Sequence, residues 1–399
     1  MKSAFGLQVC IFALFLSVSL QALEWSEQER ENLKQYSLIS HRPSYTDPSN
    51  QYLNNSNAIQ LGEQLFNDHR LSKNKMISCA SCHIETKSFT DNRMVARGIR
   101  KGYRNTPTLL NIAAQNWFFW DGGKDSLWAQ AMSSIENPSE QGFSRIEVLR
   151  FIANDPYYRK AYKKLFRQAL PNKQQLKSYP EKGGPNGNIS VLKAWKKLSR
   201  KQKNTVDQVF SNIGKAIAAY VATIVSPPTR FDYFVEQLSK QGRSQKLTEA
   251  EQKGLKLFMS KRVGCSNCHS QAIFSNKEFH NIGTGIPGID NGRSEVIDAV
   301  IRDDFNCLGN YSDASEEQCM ELLYANTDRH TLAGNYKTPT LRSISKTAPY
   351  MHDGRYNNLA DVLKYYNSID KDKAERTDLV QINLNEEEEK NIIAFLKCL

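Results

Sequence analysis

The chain has 399 residues, 40% hydrophobic and 24% charged, with a formal net charge of +11 and a mean hydropathy of −0.58. That length accommodates two domains with buried cores, and the composition is that of a soluble protein rather than a chain of membrane spans. A basic excess of this size points to an acidic protein or a membrane surface, or to nucleic acid where the protein meets any.

Met1-Lys2 is followed by an apolar run from Phe5 to Leu20 and then Gln21-Ala22, the tip, middle and small residue of a secretory signal. A retained anchor is the alternative, although the run is short for a span. Cleavage after residue 22 exports the chain to the periplasm, which holds little nucleic acid, and leaves no stable membrane span. Residues 23–57 then form an N-terminal extension. In it Trp25 to Tyr36 is expected to be a short helix, and Pro43 to Asn57 a polar linker. Ile59, Leu61, Leu65 and Phe66 predict a helix over Ala58 to Asn67. His69, just after it, reads as a surface histidine.

Cys79-Ala80-Ser81-Cys82-His83 follows, and Cys265-Ser266-Asn267-Cys268-His269 repeats its pattern 186 residues later. Two cysteines two residues apart can each form a thioether to a haem vinyl group, while the adjacent histidine becomes an axial iron ligand. Each copy is a complete site for one covalently attached haem c. A four-cysteine zinc clip pooled from both copies is the alternative.

Of the 8 cysteines, Cys10 lies in the leader and four lie in the two pentapeptides. Outside the cytoplasm, Cys307 and Cys319 could close a disulfide around an acidic loop or remain apart. Cys398 is left over.

No histidine lies between His83 and His269. The first haem therefore lacks a local second imidazole, and its sixth position is expected to be open unless Met94 or Met132 takes it. An open iron suits peroxide binding. Arg104 to Leu109 leads to the aromatic run Trp117 to Gly123, then to Gln130 and Glu140. The aromatic run alone reads as core packing. A carboxylate near an open haem can nevertheless shuttle a proton, and an indole can relay electrons.

Helical patterns are expected on both sides of Asp155-Pro156, between Arg145 and Ala169, followed by a basic loop from Pro171 to Ile189. Charge is concentrated between Lys163 and Lys203, as a solvated face or a docking patch. An apolar stripe predicts a long helix from Thr205 to Ile224, stopped by Pro227-Pro228. The domain boundary is placed there, giving 58–228 and 229–399. Thr248 and Glu251 form a capping box ahead of the second pentapeptide. Gly283 to Gly292 is a glycine-rich loop, and further helices are expected at Leu359 to Tyr366 and after Asn385. No strand pattern is visible. The expected fold class is mainly α, with two c-type cytochrome domains each binding one haem.

Taken together, the two pentapeptides, Arg-Asn-Thr-Pro-x-Leu, Phe-Trp-Asp-Gly, Glu-Asn-Pro-x-Glu, Lys-Thr-Pro-Thr-Leu-Arg and Ala-Pro-Tyr-Met-His-Asp-Gly resemble the bacterial di-haem cytochrome c peroxidase and MauG family. The resemblance runs from about Ala58 to Leu396. It implies that His83 is the proximal ligand of a peroxide-reacting haem and His269 that of an electron-transfer haem. Trp120 is implied to lie between the haems, with Gln130 and Glu140 as the distal pair and Glu140 as acid and base. Asn105 and the carbonyls of Thr347 and Pro349 match the calcium site.

Two departures bear on the subtype. Reductively activated peroxidases carry a distal histidine after the first pentapeptide, and 84–103 contains none. Their second iron takes a methionine fourteen residues after the His-Asp-Gly histidine; counted from His352, that position is Tyr366, similar to the tyrosine ligand of MauG. Met351 is the competing ligand. The resemblance implies a peroxidase that reduces hydrogen peroxide with electrons from a small c-type cytochrome or cupredoxin. The alternative is a MauG-like oxidase that stores high-valent iron and oxidises residues of a partner protein, expected to be acidic. A non-catalytic di-haem electron carrier is the third.

Overall fold

The structure, a computed structural model, describes residues 23–286, 288–369, 377–379 and 381–399. The leader expected at 1–22 lies outside them. The described chain is mainly helical, as expected. No helix among the described residues is long and apolar enough to cross a membrane.

The longest helix, Arg200–Val221, organises the first hydrophobic core. Its apolar stripe, including Val206, Val209, Phe210, Ile213 and Ile217, faces the helices Ser56–Asn67, Leu127–Glu136 and Arg145–Asn154. A Cβ on Gly62 would lie 2.0 Å from the Ala216 carbonyl oxygen, so this crossing requires glycine. Asp155 caps the helix Pro156–Phe166 through the amides of Tyr157 and Tyr158, and so separates the two helices expected on either side of it.

A second core is aromatic. Phe231, Phe258, Phe274 and Phe395 meet edge-on or tilted, with ring centroids 5.3–6.2 Å apart. The helix Glu249–Met259, capped by Thr248 and Glu251 as expected, crosses the helix Glu386–Leu396. There Gly254 meets the Asn391 carbonyl, the counterpart of Gly62.

Two segments pack away from their sequence neighbours. Trp25, Leu33 and Tyr36, around the helix Glu27–Lys34, belong to the second core. Phe305 from the C-terminal half inserts into the first core. There Asp313 pairs with the buried Lys215 at 2.7 Å and accepts from Gln51. Cys307 and Cys319 form a disulfide that closes this excursion.

Several elements differ from expectation. The helices Arg230–Gln241 and Ile189–Lys196 form in stretches to which no element was assigned, and Phe279–Asn281 pairs with Asn335–Lys337 as a three-residue antiparallel ribbon. Strands this short do not complete the alternation that a sequence pattern needs.

Candidate haem sites and the region between them

The two pentapeptides carry the same local geometry. The His83 amide donates to the Cys79 carbonyl at 3.0 Å, and the His269 amide to the Cys265 carbonyl at 2.9 Å. These bonds close each pentapeptide into a turn. The His83 Nδ1 lies 3.0 Å from the carbonyl of Phe89, and the His269 Nδ1 lies 3.0 Å from that of Phe274. A carbonyl only accepts, so Nδ1 carries the proton and Nε2 keeps its lone pair for a metal.

Phe89 and Phe274 both adopt positive φ, 58° and 52°. A bulky residue in the left-handed region is strained, and here the strain turns a carbonyl towards each imidazole. Thr108 holds the first loop by donating to the Ser88 carbonyl at 2.6 Å; Thr340 holds the second by donating to that of Ile273 at 2.7 Å. Thr-Pro-Thr-Leu thus occurs twice, at 106–109 and 338–341, in equivalent positions. The repeat of this tetrapeptide is the sequence signal for the two supporting threonines.

Burial pushes the Cys79 thiol up to about 12 and the Cys82 thiol to about 11, and the Cys265 thiol to about 12. It holds the His83 imidazole below its ordinary range and lowers that of His269 to about 4. Neutral imidazoles and thiols in apolar surroundings fit thioether attachment and iron ligation. Cys79 packs against the first core and Cys265 against the second. No group of three or more His, Cys, Asp or Glu among the described residues is placed to hold a metal, so the pooled zinc clip has no ligand cluster.

Glu140 sits near the first pair, where its charge raises the pKa of both Cys79 and Cys82. Its own carboxyl is raised by burial, against the pull of hydrogen bonds from Ser134 and Asn137. Asn137 Nδ2 donates to Glu140 Oε1 at 2.8 Å, and Gln130 Nε2 donates to Ser134 Oγ at 3.1 Å. Gln130 and Glu140 therefore share one hydrogen-bonded group. The Glu140 backbone is fixed from the loop after His83: the Ile99 amide donates to its carbonyl at 2.9 Å, and Gly98 leaves no room for a Cβ beside it.

The aromatic run contacts both halves of the chain. The Trp120 indole donates to the Asn105 carbonyl at 2.9 Å, while its own carbonyl accepts from Lys337 at 2.8 Å, so it touches both halves of the chain. Arg104 binds Asp290 through two bonds of 2.7 Å and Asp121 at 2.5 Å, and Arg293 lies 3.9 Å from the ring centroids of both Trp117 and Phe279. The run is therefore an interface rather than interior packing alone. His352, buried and stacked on Tyr336 at 3.9 Å, accepts the Asn105 amide on its carbonyl at 2.7 Å.

Asn105 Nδ2 donates to the Arg93 carbonyl, and Asn92 Nδ2 donates to the carbonyls of Lys346 and Ala348, the residues on either side of Thr347, the second of which precedes Pro349. The three residues matched to a calcium site thus lie in loops that meet. Burial raises the Tyr366 phenol above its ordinary range, and the neighbouring Cys265 and Cys268 add to that shift. Its hydroxyl makes no hydrogen bond among the described residues, whereas that of Tyr365 donates to the Ile282 carbonyl at 2.5 Å. Met351, at φ 71°, belongs to the loop that packs Gly354 on the Met94 carbonyl. His69 is exposed.

This doubled site defines a class of protein, and comparison with known sequences agrees: residues 56–240 match the family model described as di-haem cytochrome c peroxidase. The chain belongs to this family and is an oxidoreductase that acts on peroxide. It is 30% identical over 349 residues to the cytochrome-c peroxidase IdrP1 of Denitromonas iodatirespirans, covering 86% of this chain and 81% of that one. It is 28% identical to the methylamine utilization protein MauG of Methylorubrum extorquens, over 86% and 77% of the two chains. The fold resembles the diheme peroxidase BthA of Burkholderia thailandensis, with a TM-score of 0.63 at 19% identity, over 89% of each chain.

Proposed function

We propose that the chain is a periplasmic di-haem c-type peroxidase that reduces hydrogen peroxide at the haem of His83, with electrons passed through the haem of His269. Residues 1–22 are its cleaved leader, 58–228 carry the peroxide-reacting haem and 229–399 the electron-transfer haem. The observation that carries this reading is the repeated site: two Cys-x-x-Cys-His turns, each with its imidazole Nδ1 held by a strained phenylalanine carbonyl.

The haem of the first site would be held by Cys79, Cys82 and His83, and that of the second by Cys265, Cys268 and His269. When bound, the first would supply the iron and the electrons for peroxide cleavage. Glu140 does the proton work. Its carboxylate takes a proton from one oxygen of the peroxide and returns it to the other, which leaves as water. Asn137 and Ser134 hold the carboxylate, and Gln130 braces Ser134. Trp120 is the electron relay between the halves, held by Asn105 and Lys337. A calcium ion would rest on Asn105 Oδ1 and the carbonyls of Thr347 and Pro349, oxygen donors that suit it. Donors are a small c-type cytochrome or a cupredoxin.

The unbonded Tyr366 hydroxyl favours a second reading, a MauG-like oxidation of a partner protein. An anionic oxygen ligand stabilises ferric iron and lowers its potential. Tyr366→Phe is expected to change the absorption and paramagnetic resonance spectra of the second haem and leave those of the first unchanged. Identical spectra before and after substitution would move the ligand to Met351.

A further inference from the structure

The charge of this protein is not spread over its surface. Residues 163–203 contain twelve Lys and Arg and one acid, Glu181, a net +11 equal to that of the whole chain. The rest of the sequence carries as many acids as bases.

The fold brings parts of this segment to the start of the helix Arg200–Val221. Gln202 Nε2 donates to the Ser178 carbonyl at 3.2 Å, which brings the stretch after the helix Lys173–Leu176 to that end. The end of the helix Pro156–Phe166 joins it: Tyr162 and Gln168 line an open groove of about 670 Å³ together with Arg200, Lys201 and Asn204. Eleven of the twelve basic residues are exposed, and the twelfth, Lys203, lies over the Trp195 ring. None of the twelve forms an ion pair among the described residues. Elsewhere Arg70, Arg145 and Lys215 all do.

Like charges held together without counter-charges oppose each other, and an anionic surface that covers them relieves that repulsion. The groove floor is already satisfied: Tyr162 donates to Gln168 at 3.0 Å, and Asn212 donates to both. This makes the floor neutral and the rim positive, a shape for a protruding carboxylate-bearing surface rather than a single buried anion. A bilayer would need an apolar face to insert, and Ile189 is the one large apolar side chain of the segment that stands exposed. Tyr162, Tyr179 and Trp195 are buried, which leaves no aromatic platform for nucleic-acid bases.

We propose that this basic face is the docking surface for an acidic protein partner, the electron donor or protein substrate of the proposed reaction; it rests on that reading for the partner's role. Electrostatic steering by such a patch accelerates encounter and weakens with salt.

The test uses the holoprotein and Arg200→Glu/Lys201→Glu, with Lys182→Glu/Lys193→Glu as a second variant. Glutamate in the first turn of a helix suits its dipole, so the first pair keeps the fold. The probes are a c-type cytochrome of low isoelectric point and a basic one as control, read by titration of binding and by peroxide-dependent oxidation. Binding and kcat/KM for the acidic cytochrome are expected to fall at least about tenfold at low salt and to converge with the parent at high salt. The reaction with peroxide alone stays unchanged. Equal binding of the acidic cytochrome by parent and variants overturns the proposal. So does loss of binding confined to phosphatidylglycerol vesicles, which makes the face a membrane surface. Failure of the parent to react with peroxide would instead overturn the enzymatic reading, and the binding titration would still decide the docking surface.

Discussion

Replacing Glu140 by glutamine lowers the rate of reaction with hydrogen peroxide by about 10²- to 10⁴-fold, the usual worth of a positioned proton acceptor. Glutamine keeps the oxygen that accepts from Asn137 Nδ2 and keeps the side-chain volume, so the loop and the haem attachment survive. The pH profile separates chemistry from packing. Glu140 must be ionised to take a proton, and burial raises its pKa. The parent rate therefore rises with pH through a transition above the ordinary carboxylate range. The variant loses that rise. Stopped-flow spectra across pH measure both, and an unchanged rate with an unchanged profile would remove Glu140 from proton transfer.

The second large effect is on stability. Arg342 and Asp232 are both fully buried, with bonds of 2.8 and 2.9 Å between them. Arg342 also donates to the carbonyls of Tyr36 at 2.7 Å and Ala272 at 2.8 Å. Asp232 accepts the amides of Leu38 and Thr229. One ion pair thus ties the N-terminal extension to the loop that carries Phe274, whose carbonyl holds His269. Asp232→Ala leaves a buried guanidinium without its counter-charge and is expected to cost about 3 to 5 kcal/mol. That is a large fraction of the stability of a typical domain. Asp232→Ala/Arg342→Met should recover part of the loss, because the isolated charge is gone. Denaturant unfolding gives the sizes, and the second haem's spectrum should shift more than the first's. Additive losses would show that the two residues act independently.

Local chemistry was legible in the sequence. The break at Asp155-Pro156, the Thr248 box and the apolar stripe of the long helix each depend on residues within a few positions; the first two form where expected, and the helix runs 200–221 rather than 205–224. Contacts across long separations were not. Nothing in Trp25 or Phe305 indicates that each crosses to the core of the other half, because burial partners are set by topology. The helices 189–196 and 230–241 have mixed, charged sequences, and tertiary burial of Trp195, Phe231 and Phe234 stabilises them more than propensity does.

At the site, the pentapeptides announce their chemistry, whereas the carbonyls of Phe89 and Phe274 do not. Phenylalanine is not a residue expected at positive φ, and only the surrounding loop imposes it. The same holds for the role of Arg104, whose partners Asp121 and Asp290 lie 17 and 186 residues away. The availability of the Tyr366 hydroxyl, against that of Tyr365, was likewise invisible to residue counting.

The most direct test adds hydrogen peroxide to the fully ferric, unreduced protein and follows visible absorption and electron paramagnetic resonance. An open sixth position on the first haem, expected because 84–103 holds no histidine, predicts that the spectra change at once and stay changed until a donor is supplied. A protein that responds only after its second haem is reduced would carry a hidden sixth ligand on the first. No response in either state would make it an electron carrier and contradict the catalytic account.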